Sequence, residues 1–212
     1  CFTETDTSTF WGRARRLTLN HLPKCLKTMC LLAIQYQLVP ESPVLVAANR
    51  EEFYERPTLP PSIQSGKPRV LCGVDSQAGG TWLGVNQNGL FVGVCNRRRS
   101  QPTYPTRSRG VLTRELLKSD SALQARDRAM DEIETGKYDG CSYVCVDSDS
   151  AWAIHGGDEL EAVELHEGLN IISNGDVNDP RDERVQLAKR LLTLQTLDSP
   201  VKFLAVASKV FA

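Results

Sequence analysis

Four side chains with different chemistry can be brought together by two short apolar segments near residues 30 and 50. Cys30 precedes the apolar run 31–34, and a second run, 44–48, ends at Asn49-Arg50-Glu51-Glu52. Two adjacent strands joined by a turn at 40–43 would return this polar cluster to the thiol. A thiol beside a cation, an amide and a carboxylate suits an activated nucleophile with an orienting partner. A strand end with solvated charges fits these residues equally well.

The composition excludes several classes of protein. A length of 212 residues suits one substantial domain. The formal net charge of -1 provides no broad positive field for phosphates, so we expect no nucleic-acid partner. No apolar run approaches the length that spans a bilayer. We therefore expect a globular protein whose partner is a small molecule.

The cysteines argue against both a disulfide framework and a metal site. Seven are present, an odd number, and none forms a Cys-x-x-Cys pair. Cys141 and Cys145 fall on one face of a strand-like segment, where reduced cysteines behave as small hydrophobic residues. We predict no metal site and a reducing compartment, most simply the cytoplasm.

Residues 1–28 differ from the remainder of the chain. They begin with Cys1 and contain five basic residues against two acidic ones, a local net charge of +3. An organelle transit peptide, which would make the protein mitochondrial, has this composition. A wrongly extended start, with Met29 as the true initiator, is the alternative that we favour. In either case we expect a disordered or spurious extension at 1–28 and a domain at 29–212.

The periodicity of apolar residues predicts strands first and helices later. Strands are expected at 30–38, 43–48, 69–74, 81–85, 89–95, 141–147, 150–155, 161–165 and 169–173. Helices are expected at 110–118, 121–135, 181–195 and 199–210, the second capped by Ser119 or Asp120. Asn88-Gly89 indicates a hairpin. Strands and helices in alternating groups predict an α+β or α/β domain with mainly antiparallel pairing.

Four motifs in this order resemble a known family. They are Met29-Cys30, the Asn-Arg-Glu-Glu cluster at 49–52, Gly-Gly-Thr-Trp-Leu-Gly at 79–84, and Arg-Ser-Arg-Gly at 107–110. Together they resemble the NRDE-motif family, also called the transport and Golgi organisation protein 2 family. The family's usual Asn-Arg-Asp-Glu carries Glu51 here in place of the aspartate. The resemblance also implies further strands after Ala212, so we expect the domain to be incomplete at its C-terminus.

The resemblance implies a fold and a nucleophile. Members of the family look like N-terminal-nucleophile hydrolases, which form a four-layer αββα sandwich of largely antiparallel sheets. Removal of Met29 would give Cys30 a free α-amine with a reference pKa of about 8, able to accept the thiol proton. A nearby Arg50 would favour the thiolate. The implied reaction is hydrolysis of a small acyl amide or a related C–N bond.

Two asparagines fit the same scheme. Asn96 ends an expected strand, where its backbone N–H would face an oxyanion. Asn174, in Ile-Ser-Asn-Gly after the last strand, resembles the asparagine that completes the oxyanion hole of choloylglycine-type cysteine amidases. One such donor contributes about 2.7–4 kcal/mol in a preorganised site. A simple turn role is the alternative for each.

Substrate binding is expected from Trp82, Arg107 and Arg109. The glycines at 79–80 would let backbone approach a ligand while Trp82 walls a pocket; alternatively they form a tight turn before a core tryptophan. The arginines at 97–99, 107 and 109 either clamp a carboxylate or phosphate or are solvated.

A non-catalytic carrier is the alternative function. The family is linked to haem movement and to lipid and coenzyme A metabolism, so a haem or acyl ligand is a second expectation, with no cofactor in the hydrolase case. A haem carrier would present an axial ligand, and Cys30, His155 or His166 would serve. For catalysis the two histidines have no partner spacing, so we expect core or surface roles.

Overall fold

The computed structural model describes residues 30–50, 52, 55–101, 104–194 and 196–211. The expected extension at 1–28 lies outside these residues. The strands are β1 (Leu31–Tyr36), β2 (Val44–Asn49), β3 (Thr58–Gln64), β4 (Val70–Asp75), β5 (Leu83–Asn86), β6 (Phe91–Asn96), β7 (Cys141–Val146), β8 (Ala151–Gly156), β9 (Leu160–Glu164) and β10 (Gly168–Ile172). The helices are α1 (Arg109–Leu116), α2 (Ala122–Glu134), α3 (Glu183–Leu192) and α4 (Pro200–Val210).

The strands form two sheets. One has the order β10-β1-β2, and the other runs from β3 to β9 in sequence order. Every named strand pair is antiparallel. The predicted hairpin joins β5 to β6, and Gly89 adopts the positive φ of 88° that such a turn favours.

Three apolar clusters separate four layers. Side chains of β1 and β10 meet those of β6, β7 and β8 between the sheets. On its outer face the larger sheet packs against α1 and α2, and the smaller sheet packs against α3 and α4. The domain is therefore an α+β sandwich with the layer order αββα, as expected.

Two local expectations were wrong. β3 was missed because its sequence, Thr-Leu-Pro-Pro-Ser-Ile-Gln, carries two prolines and does not alternate like a strand. It lies at the sheet edge, where a missing N–H is tolerated, and its pairing with β4 is irregular between Leu59 and Ser62. The cap of α2 is Ser121, whose side chain accepts from the N–H of Gln124, and not Ser119 or Asp120.

Candidate active site

The antiparallel pairing of β1 with β2 brings the thiol to the polar cluster. Leu31 pairs with Asn49, so Cys30 and Arg50 extend the two neighbouring strands at the same end. Asn49 accepts a 2.7 Å hydrogen bond on Oδ1 from the backbone N–H of Leu31. The predicted adjacency of these strands is confirmed, and the amide of Asn49 fixes the backbone that carries the thiol.

A cleft of about 250 Å³ opens beside Cys30. Polar and charged side chains dominate its walls, with apolar surface from Trp82, Val94 and Pro105. The structure brings seven of the predicted site residues to this cleft: Cys30, Arg50, Glu52, Trp82, Asn96, Arg107 and Arg109. Asn49 lines a separate small recess that also contains Cys30 and Trp82.

Arg50 is held by an aromatic face and a neutral acceptor. Its guanidinium lies 4.5 Å from the ring centroid of Trp82 and donates to Thr58 Oγ1 at 3.1 Å. Glu52 lies 3.8 Å away, a long ion pair. The ring and the hydroxyl therefore position the guanidinium in the cleft that contains Cys30.

Sequence reasoning missed Arg56 and Asp75. Arg56 contacts Glu52 at 3.3 Å and Asp75 at 2.6 Å. Burial acts to raise the pKa of Asp75, but the hydrogen bonds from Arg56 and from the backbone N–H groups of Ala78 and Gln77 lower it below its usual range. The four-residue spacing of Glu52 and Arg56 is the feature of the sequence that could have indicated their ion pair. This ion-pair network supports the wall of the cleft that carries Glu52.

The two glycine-containing motifs meet each other. A Cβ added at Gly80 would collide with the backbone of Gly110 and Val111, and the N–H of Thr81 donates to the carbonyl of Gly110 at 2.9 Å. Gly79 has a φ of 70°, as a tight turn requires. Both readings of this segment are thus partly realised, because the turn is tight while Trp82 is half-buried and walls the cleft.

Arg107 and Arg109 enter the cleft from the start of α1. Arg107 pairs with Glu132 at 2.6 Å and with Glu115 at 3.6 Å. Arg109 donates to the carbonyl of Gly140 at 2.7 Å and lies 3.8 Å from Asp139. Arg97, Arg98 and Arg99 do not line this cleft; Arg97 and Arg98 line a neighbouring groove.

The end of β6 presents a backbone N–H toward the cleft. Arg97 donates its N–H to Gly140 on the β7 side, whereas Val94 donates to Trp82 on the opposite side. Because N–H groups alternate along a strand, that of Asn96 faces the Trp82 side. Asn174 donates from Nδ2 to the Asn96 carbonyl at 2.7 Å and lines the neighbouring groove.

The remaining described cysteines are buried core residues. Burial raises the pKa of Cys95 to about 12, and the nearby Cys30 adds to this effect. Burial likewise raises the pKa of Cys141 to about 12, against an opposing influence of Arg109. Cys141 and Cys145 are reduced and fully buried, which confirms the expectation for this pair. Cys30 is half-buried and reaches the cleft.

The described histidines lie elsewhere. His155 is 1% exposed and shares a 2.8 Å hydrogen bond through Nδ1 with Ser142 Oγ. His166 is exposed. Within the described ranges, no group of three or more His, Cys, Asp or Glu side chains is placed to hold a metal ion. The helices of the described chain include none long and apolar enough to cross a membrane.

Comparison with known proteins identifies the family. Residues 29–202 match the model of the family described as Transport and Golgi organisation 2. The chain belongs to this family. It is 31% identical to the human Transport and Golgi organization protein 2 homolog over 99 residues, which are 43% of this chain and 36% of that protein. The mouse Transport and Golgi organization 2 homolog is 32% identical over the same length, with the same coverage. The match thus spans little more than a third of these relatives.

A solved structure shares the fold. The chain is similar to the Caenorhabditis elegans ortholog of N-acylethanolamine-hydrolyzing acid amidase, with a TM-score of 0.58, 12% identity and coverage of 84% of this chain and 85% of that one. At this identity the likeness is one of fold alone. The expected resemblance to the fold of N-terminal-nucleophile hydrolases is confirmed.

Proposed function

We propose that this Transport and Golgi organisation 2 family chain carries the catalytic site of a cysteine amidohydrolase that cleaves a small acyl amide at Cys30. One observation carries the proposal. The half-buried thiol of Cys30 lines a polar cleft beside Arg50, Glu52 and Asn96, and the Asn49 amide fixes its backbone. A nucleophile, a cation and a candidate oxyanion donor thus occupy one end of the sandwich.

The chemistry begins with the α-amine of Cys30, once the preceding peptide bond has been broken. The amine accepts the thiol proton, and the sulfur bonds to the amide carbonyl carbon. Arg50 stabilises the thiolate through its charge, while Trp82 and Thr58 hold that guanidinium in place. The C–N bond then breaks, the departing amine takes the proton from the ammonium group, and water hydrolyses the thioester to a carboxylic acid and the free thiol.

Two groups at the ends of β6 and β10 would stabilise the intermediate. The backbone N–H of Asn96 faces the cleft side of its strand, and Asn174 donates a hydrogen bond to the carbonyl of Asn96. A donor of this kind acts most strongly where charge develops in the transition state. We assign the oxyanion hole to these two residues and substrate contact to Trp82, Arg107 and Arg109.

A non-catalytic carrier of haem or a lipid acyl group is the second candidate. One fact of the sequence favours it, because Cys30 follows Met29 directly in the chain. While Cys30 remains in peptide linkage to Met29, its nitrogen is an amide and cannot act as a base. In that form the thiol lacks the free α-amine that the proposed mechanism uses as its proton acceptor, which suits binding better than catalysis.

The deciding experiment compares two forms of the chain, each confirmed by intact mass. One begins at Cys30 after methionine removal, and the other retains the preceding residues. We expect the trimmed form to hydrolyse a chromogenic acyl anilide about 10²–10⁴-fold faster, because general-base catalysis contributes that much. Cys30→Ala should abolish the reaction and Cys141→Ala should not. Equal rates in the two forms would contradict the mechanism and favour the non-catalytic carrier.

A further inference from the structure

We propose that the cleft selects a small amide bearing a carboxylate, bound by Arg109, over an amide with a long apolar acyl chain. This inference rests on the proposed function and names its substrate class. It follows from the size of the cleft, from its lining and from the unequal pairing of its arginines.

The cleft is small and mostly polar. Its volume of about 250 Å³ lies just below the roughly 300–1,000 Å³ typical of pockets for drug-sized ligands. Among the described residues, the apolar contribution comes from Trp82, Val94 and Pro105, set among charged side chains. A long acyl chain needs continuous apolar surface to leave water, and these three side chains do not provide it.

Four arginines within the described ranges line the cleft, and two of them form short ion pairs with carboxylates. Arg56 binds Asp75 at 2.6 Å, and Arg107 binds Glu132 at the same distance, with Glu115 as a second carboxylate. Short charge-assisted hydrogen bonds of this kind are strong and hold both partners in place. Arg56 and Arg107 therefore build the walls of the cleft.

Arg50 and Arg109 have long ion pairs instead, each at 3.8 Å. Arg50 stacks on Trp82 beside the thiol, so its charge belongs to the reacting end of the cleft. Arg109 comes from α1, on a different wall. Its acidic neighbour, Asp139, is 47% exposed at the side chain, and an exposed pair of this kind contributes little.

Arg109 is well placed to bind a planar anion. The Gly140 carbonyl accepts from one of its terminal nitrogens and so fixes the guanidinium. A guanidinium has five N–H donors in a rigid fork, which matches a carboxylate in bidentate geometry. A substrate carboxylate would replace the weak contact with Asp139, while the scissile carbonyl lies at Cys30. Because Cys30 and Arg109 line one cleft of about 250 Å³, the acyl or amine half of the substrate carries its carboxylate within that cleft.

A pair of alkylating reagents tests the charge preference without any turnover. Iodoacetate and iodoacetamide both transfer a two-carbon group to the thiolate with loss of iodide, and they differ in one carboxylate. The 212-residue chain is treated with each, and the Cys30 peptide is quantified by mass spectrometry. The rate ratio of iodoacetate to iodoacetamide is compared with that of N-acetylcysteinamide in the same buffer.

We expect the ratio at Cys30 to exceed the ratio of the free thiol by about tenfold, as one charge-assisted contact would give. Arg109→Gln should return it to the free-thiol value, and Arg109→Lys should retain part of the preference. Arg126→Gln, on α2 and outside the cleft, should change nothing. A ratio equal to that of the free thiol in the unaltered chain would overturn the proposal.

Hydrolysis by the trimmed form separates this inference from the function on which it rests. Glutaryl, pentanoyl and palmitoyl anilides are compared, and the glutaryl compound should have the lowest KM. Arg109→Gln should raise KM for that substrate alone. Cleavage of all three without preference would overturn the substrate class while the hydrolase stands. If no anilide is cleaved but the alkylation ratio at Cys30 is still raised, the proposed hydrolase function is wrong and the carboxylate site at Arg109 is supported.

Discussion

Asn174 donates a hydrogen bond from Nδ2 to the backbone carbonyl oxygen of Asn96 at 2.7 Å, and this bond joins the two sheets at one end of the sandwich. Because a carbonyl oxygen can only accept, the group of the Asn174 amide that faces Asn96 must be the NH₂ group and not the oxygen. The residue is 9% exposed, and its Oδ1 has no hydrogen-bond partner within the described part of the chain. Nδ2 carries a second N–H, which the Asn96 carbonyl does not use.

Asn174→Ala should reduce turnover by the trimmed form without preventing folding. We expect kcat to fall about 10²–10³-fold with KM little changed, because the donor acts on charge that forms in the transition state. Steady-state kinetics with the acyl anilide measure this. Asn88→Ala, in the hairpin turn, is the matched control. An unchanged kcat would exclude Asn174 from the oxyanion hole.

Arg97 should act as a positioning residue for Asn174. Its guanidinium donates to the Gly175 carbonyl at 2.7 Å and to Asp176 at 2.6 Å, which ties the segment after β10 to the end of β6. Arg97→Lys loses this two-point contact. We expect kcat to fall about tenfold, about 1.4 kcal/mol, with KM preserved.

The control for Arg97 is Arg181→Gln, which removes an exposed partner of Asp176 and Asp179 in the same segment. It should leave kcat unchanged. A parallel rise of KM in Arg97→Lys would instead indicate that the substituted chain binds substrate poorly, which contradicts a role through Asn174.

The pairing of the thiol with the polar cluster was predictable because it rests on local pattern. Two apolar runs flanking a Pro-containing turn determine an antiparallel pair, and the register then places Asn49 opposite Leu31. The αββα layering came from the family resemblance, since periodicity indicates elements and not their stacking. The same resemblance suggested Asn174, which no spacing links to Cys30.

The remaining parts of the site depend on contacts between distant segments. Asp75 ends β4 and meets Arg56 only because the proline-containing strand β3 lies between them in the chain and beside β4 in the sheet. Gly80 likewise meets Gly110 through packing. Neither relationship leaves a periodic signal in one sequence.

Gly80→Ala should disturb the cleft through backbone contact. The new Cβ would collide with Gly110 and Val111 at the start of α1, and backbone atoms cannot rotate away as a flexible side chain does. Overpacking of this kind costs about 1–3 kcal/mol. Urea denaturation should show that loss, and the Arg109-dependent alkylation ratio should fall with it.

Gly73→Ala is the comparison for Gly80→Ala, because the three atoms nearest to its added Cβ all belong to the ring of Trp82. We expect it to lower turnover by displacing the tryptophan that supports Arg50. A stability loss as large as that of Gly80→Ala would contradict this distinction between backbone and side-chain contact.

Haem titration tests the carrier. A carried haem should give a saturable Soret shift that weakens in Cys30→Ser, since Cys30 reaches the cleft and His155 does not reach solvent. His155→Gln should then bind haem as the unaltered chain does. A linear titration, as for haem adhering to apolar surface, would count against the carrier.

His155 should make the fold less stable in mild acid. Burial, with a further contribution from Arg97 and against an opposing one from Asp176, lowers its pKa from 6.5 to about 4. Between these values the unfolded chain binds a proton that the folded chain excludes. The stability is therefore fully present above about pH 6.5 and is lost as the pH falls toward 4.

Urea unfolding of the unaltered chain and of His155→Gln at pH 7.5 and pH 4.5 measures the pH-dependent part of the stability that His155 contributes. The unaltered chain should lose up to about 3 kcal/mol more than the variant over that interval, from about 1.36 kcal/mol per pKa unit. Loss of the hydrogen bond between His155 and Ser142 destabilises the variant equally at both pH values. The change in stability between pH 7.5 and pH 4.5, compared between the two proteins, therefore reports only the protonation of His155. The control is His166→Gln, which replaces an exposed histidine; it should lose as much stability over this pH interval as the unaltered chain. Equal losses in His155→Gln and the unaltered chain would mean that His155 binds its proton alike in the folded and unfolded states.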